Sequence, residues 1–106
     1  MGREIDETWI EEAVERYRRI EALQAKFDKA VQTVEVTVRS ADGLVEVLVA
    51  ADGTIRDVHI NGPLQNRTNE SVSRALREAV TAAGDAAAWA RKKLQAETFG
   101  DYRELQ

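Results

Sequence analysis

The sequence predicts an α+β fold of order α-β-β-β-α, a three-stranded antiparallel meander flanked by two long helices, assembled as a homodimer. Three observations carry this reading. Apolar residues recur at helical spacing before residue 33 and again after residue 68. Between these stretches VEVTVRSADGLVEVLVAADGTIRDVHI, Val34 to Ile60, alternates apolar and polar residues and is broken twice by Asp-Gly. The apolar stripe of the first helix also outruns anything that so small a sheet can cover.

The first helix is expected from Asp6 to about Gln32. Ile10, Ala13, Tyr17, Ile20, Phe27 and Val31 follow a 3-4 alternation that only Gln24 interrupts. Its other faces are charged, and Glu12–Arg16 and Glu15–Arg19 have the i,i+4 spacing that supports a helix. In the meander each Asp-Gly serves as a two-residue hairpin turn. The first turn pairs Val38 with Val47 and Val36 with Val49; the second pairs Val47 with Val58 and Val45 with Ile60. The two turns are independent, yet both put Val34, Val36, Val38, Val45, Val47, Val49, Val58 and Ile60 on one face.

The opposite face is half polar. Arg39, Glu46 and His59 form one cross-strand row, and Leu44, Leu48 and Ile55 are expected beside it as apolar residues covered by another surface. Asn61-Gly62-Pro63 ends the sheet, because proline cannot extend a ladder. Thr68 or Asn69 then caps a second helix that runs to about Glu97. Val72, Leu76, Val80, Ala83, Ala87, Ala90 and Leu94 form its main stripe, widened by Ala75, Ala79, Ala82 and Ala86. Residues 98–106, TFGDYRELQ, are expected to fray.

Length explains why self-association belongs to the expectation. A first helix of roughly 25 residues spans about 38 Å, whereas strands of roughly 7 residues span about 23 Å. The overhang still carries Ile10, Ala13, Val14 and Tyr17, and Ile10, Ala13, Tyr17 and Ile20 are the helix residues expected at the interface. Burying these stripes mutually across a two-fold axis resolves the mismatch, and Leu44, Leu48 and Ile55 are the sheet residues expected to join the interface.

Composition narrows the function. A chain of 106 residues corresponds to a single domain, 1–106, and 43% hydrophobic with 32% charged residues suits a folded, helix-rich one. The absence of cysteine excludes disulfides, thiolate metal sites and a cysteine nucleophile. His59 is the only histidine, so the usual zinc ligand sets are missing; beside Glu46 it reads as half of a surface pair. Gly43, Gly53 and Gly62 form no phosphate-loop signature. No enzymatic activity, metal or cofactor is expected. No apolar segment is long enough for a membrane span, and the acidic MGREIDETW start does not read as a secretion signal, so a cytoplasmic protein without a membrane partner is expected.

Charge is segregated along the first helix. Residues 1–15 hold one Arg against six acids, a net −5, whereas residues 16–29 hold five bases against two acids, a net +3. The bases fall in two clusters: Arg16, Arg18, Arg19, Lys26 and Lys29 on the first helix, and Arg91, Lys92 and Lys93 near the end of the second. Taken alone they read as a solvated charged face, and a net charge of −4 argues against indiscriminate nucleic-acid binding.

The order of elements, the Pro-Leu loop and the alanine-rich final helix resemble the YbaB/EbfC family of bacterial nucleoid-associated proteins. The likeness rests on Gly43, Leu44, Val45 and Val47, followed by a turn and then Val58 and Ile60, and extends over about residues 16–97. It implies a homodimer that binds DNA in the nucleoid with little sequence preference and no cofactor. Arg16, Arg18, Arg19, Lys26, Arg91, Lys92 and Lys93 are then the bases available for phosphates. The acidic first fifteen residues depart from a DNA-facing arm. Relatives of the family that accompany type VII secretion supply the alternative, a dimeric adaptor for a protein partner.

Overall fold

A computed structural model describes residues 7–104. Its elements are α1 (Glu7–Thr33), β1 (Glu35–Arg39), β2 (Val45–Ala50), β3 (Ile55–Ile60) and α2 (Asn69–Glu104), with the strands in the antiparallel order β1-β2-β3. The predicted register holds: Val38 faces Val47, Val36 faces Val49, Val47 faces Val58 and Val45 faces Ile60. The polar row is also present, with Glu46 between Arg39 and His59 and the Arg39 Nε–Glu46 Oε2 distance at 3.4 Å. Asn61 Nδ2 donates to the same carboxylate oxygen. Together with Arg39, this holds Glu46 below the usual carboxylate range.

Both turns are longer than the two-residue form expected of Asp-Gly. In the first, Ser40 N donates to Val45 O, leaving residues 41–44 as the loop. Asp42 Oδ1 accepts from Ser40 Oγ at 2.7 Å and from Leu44 N at 3.0 Å, while Gly43 takes φ +75°. This side-chain turn rolls Leu44 inward. It is 1% exposed within the chain's own core, not on the outer face where the alternation placed it. In the second turn Ala50 N donates to Thr54 O around residues 51–53, with Gly53 at φ +95°. A bulge follows, so Ile55 lies opposite Val49 and slips out of phase with Leu48. Of the three apolar residues expected on the outer face, only Leu48, half-buried, sits in phase there.

The core is an alanine face laid on a valine wall. Val45, Val47 and Val49 pack against Ala75, Ala79, Ala83 and Ala87 with Leu44, all at most 2% exposed. Short side chains let the helix axis approach the sheet closely, and the helix settles on its alanines instead of the larger Leu76 and Val80. Thr68 caps α2, its Oγ1 accepting from Ser71 N at 3.0 Å. The helix passes the end expected at Glu97 because Thr98 is buried and the Phe99 ring packs on Phe27 at 5.9 Å. That contact and the cluster of Val31, Ala51 and Ala90 fasten the last turns of α1 to α2.

The remainder of α1 projects as an arm. From Glu7 to Ala22 every residue but Ala13 is exposed, and the molecule measures 82 × 18 × 17 Å.

Two outcomes follow for stability. Val47→Asp places an unpartnered charge at a fully buried position and should cost about 4 kcal/mol or more, enough to unfold a small domain. Glu46→Ala, on the outer face one residue away, should leave a cooperative melt; equal losses of circular dichroism signal would refute the register. Asp42 is held below the usual carboxylate range by its hydrogen bonds from Ser40 and Leu44 and by Arg67. Its contribution is therefore complete above the unfolded pKa and is lost as pH falls through the lower folded one. Asp42→Asn should melt earlier than the parent at pH 7, and the gap should narrow as the pH is taken toward 2.

Candidate nucleic-acid interface

On a helix of 3.6 residues per turn, Arg19 and Lys26 lie almost in line, with Arg16 to one side and Arg18 and Lys29 to the other. All five are exposed. Arg18, Arg19, Lys26 and Lys29 face away from the row of Ile10, Ala13, Tyr17, Ile20 and Phe27, whereas Arg16 borders that row beside Ile20 and Phe27. Between Arg16 and Lys29 the basic face runs for about 20 Å. It changes sign toward the tip, where Glu11, Glu12 and Glu15 share the same side. Arg18 and Arg19 line one shallow groove with Ile10, Glu11, Val14 and Glu15. The acidic residues before Glu7 lie outside the described residues.

The second cluster is a cluster in sequence only. Successive residues on a helix point 100° apart, and the structure sends these three different ways. Arg91 is half-buried, and its Nη1 donates to Ala51 O at 2.8 Å, bracing the β2–β3 turn. Lys93 Nζ sits 5.2 Å above the Trp89 ring, a cation–π contact on the exposed surface. Lys92 faces solvent. Arg91 therefore has a structural task, and only Lys92 and Lys93 of this triplet present their charge outward.

The same turn receives the end of α1. Asp52 N donates to Val31 O at 2.8 Å, Ala51 N to Val34 O at 2.9 Å, and Arg56 Nη2 to Gln32 O at 2.7 Å. These bonds fix the root of the arm to the sheet, so its basic face has a set direction relative to the body. Sequence reasoning missed them. The available signal was a lone arginine, Arg91, on the apolar side of an alanine-rich helix.

Of the residues expected to pair two copies, Ile10, Tyr17 and Ile20 are open on the arm, 46%, 63% and 39% exposed, with Ala13 half-buried among them. Leu44 is removed from this set by its burial, and Ile55 no longer shares a face with Leu48. The outer side of the sheet consequently offers no continuous apolar area for a protein partner. A surface that the alternation had assigned to the core is open instead. On β3, Val58 and Ile60 are 44% and 37% exposed, and Leu76 and Val80 on α2 are each 42% exposed.

The fold has a structural counterpart. The crystal structure of uncharacterized protein HP0035 from Helicobacter pylori superposes with a TM-score of 0.66 at 18% identity, over 91% of this chain and 99% of that one. At that identity the likeness speaks for the fold alone. No curated protein matches the sequence. No described helix is long and apolar enough to cross a membrane. The model of the YbaB/EbfC DNA-binding family matches residues 7–102, nearly the whole chain, and the protein belongs to that family.

Proposed function

We propose that this protein is a nucleoid-associated DNA-binding protein that grips phosphates as a homodimer, with little selection among sequences. The observation that carries the reading is the basic face of the arm. Arg19 and Lys26 stand in line on the side of a projecting helix away from its apolar stripe, with Arg16 and Arg18 on the two flanks, all four exposed. Guanidinium and ammonium groups presented on a rigid helix suit backbone contacts that ignore sequence. Membership of a DNA-binding family supports the same ligand.

Dimerisation multiplies these contacts. The chain leaves Ile10, Tyr17 and Ile20 open on the arm and Val58, Ile60, Leu76 and Val80 open beside the sheet. So much large apolar surface on a 106-residue chain is the mark of an association surface. Two copies present the basic face twice, and counterion release then gives binding strength despite a net charge of −4 per chain.

Titration of duplex DNA at several salt concentrations tests the reading. Each phosphate contact removed should lower the slope of log K against log salt by about 0.9. Replacing Arg18, Arg19 and Lys26 with Glu should abolish binding and leave the melting temperature near the parent's, since these side chains are exposed. Replacing Glu11, Glu12 and Glu15 with Gln should tighten binding by removing like-sign repulsion along the same face. A parent protein that ignores duplex DNA at low salt, or a charge-reversed arm that binds it unchanged, would defeat the proposal.

A further inference from the structure

The arm carries two patterns that a second helix answers. Along its length from Glu7 to Ala22, Ile10 and Tyr17 stand seven residues apart, as do Ala13 and Ile20, which is the 3-4 alternation of a coiled-coil seam. Ile10, Val14, Tyr17 and Ile20 are 46%, 42%, 63% and 39% exposed. The seam continues at the root into Phe27 and Val31, and there the chain covers it, with Phe99 on Phe27 and Ala90 beside Val31. Root and arm are one continuous helix, so a partner for the arm meets a seam that is already ordered.

Charge gives the seam a direction. Residues 7–15 hold four Glu and no base, a net −4, whereas residues 16–22 hold three Arg against Glu21, a net +2. Two arms pointing the same way set Glu11, Glu12 and Glu15 beside the same residues of the partner. They also stack Tyr17 on the partner's Tyr17 and Ala13 on the partner's Ala13, a crowded layer next to a hollow one. Reversing one arm removes both faults. Ile10 then meets the partner's Ile20, and the small Ala13 meets the partner's large Tyr17. Val14, open beside the seam, faces the partner's Val14 across the two-fold axis. In that register Glu11 comes nearly level with the partner's Arg18 on one flank, and Glu12 with the partner's Arg19 on the other, each twice by symmetry. The like pairs that remain are Arg16 with the partner's Arg16 and Glu7 with the partner's Glu21. They are offset from one turn away, by Glu12 and by the partner's Arg18.

We infer that the occupant of the arm's apolar seam is the arm of a second copy, packed antiparallel with Ala13 against the partner's Tyr17. The arm projects clear of the body, so this contact is independent of whatever the sheet and α2 meet, and it can join copies whose bodies are already paired. The inference rests on the homodimer reading above only in taking a second copy as the partner.

Distances between labelled arms test it on the full chain, which has no native cysteine to mask first. Nitroxides on Glu15→Cys should lie side by side, whereas those on Thr8→Cys should be about 21 Å apart along the axis. Glu11→Arg with Glu12→Arg, and separately Arg18→Glu with Arg19→Glu, should each weaken pairing about tenfold or more, and mixing the two variants should restore it between them. Tyr17→Asp should abolish it. All these positions are exposed, so melting temperatures should stay near the parent's. Short distances at both labels, or pairing that survives Tyr17→Asp, would overturn the inference. So would a Tyr17→Asp chain that melts much earlier than a parent whose arms are unpaired, a result that gives the seam to the chain itself. Arms that stay apart in a parent of twice the 11.8 kDa mass of one chain would overturn it and leave the homodimer standing. A parent that is monomeric by light scattering would remove both readings.

Discussion

The structure depends on one contact, the alanine face of α2 against the valines of β2. Each side needs the other. A three-stranded sheet is too small to stand with its valine face wet, and a helix whose buried face is Ala75, Ala79, Ala83 and Ala87 has little apolar area to offer a looser partner. Small residues convert limited area into close approach, and close approach shuts water out of the valine wall. The rest hangs from that layer: Leu44 is drawn beneath the first turn, Arg91 meets the second, and α1 is held wherever α2 extends past the sheet.

The consequence is a division of labour between body and arm. Packing accounts for the body and for the last two turns of α1, where Phe27 and Val31 touch α2. Among the described residues nothing covers the arm from Glu7 to Ala22, which leaves its apolar stripe and its basic face open there. The open flank beside β3 has the same origin. One helix roofs two strands, and the third is left for something else to cover.

Most of the architecture was legible because it is periodic. Alternation over Val34–Ile60 and two Asp-Gly punctuations were enough for the register, and helical spacing located both helices. What the pattern could not carry were single hydrogen bonds. The fate of Leu44 turns on the Asp42 carboxylate taking its N–H, and that of Ile55 on one bulged residue; neither alters the hydropathy string. Arg91 looked like a member of a basic triplet because neighbours in sequence diverge by 100° on a helix, and its partner, Ala51 O, is 40 positions away. Leu76 and Val80 read as core because periodicity reports an apolar side without saying how wide the surface opposite it is. On the arm, by contrast, the basic residues are where the spacing put them, since a lone helix has no tertiary contact to override it.

The reversal of sign along α1 sets two length scales against each other. Glu7 and Glu11 precede Arg19 by about 18 Å and 12 Å of helix rise, while the Debye length is about 8 Å at physiological ionic strength and about 30 Å at 0.01 M. In dilute buffer the tip and the root of the arm are felt together, and a polyanion meets something close to a dipole that cancels at range. At cellular salt the root acts nearly by itself, and the distant carboxylates are hidden by the ion atmosphere. The total charge of the chain is therefore a poor guide to what a phosphate resting on Arg19 experiences. The arm favours an approach oriented root first, with its acidic end tilted away.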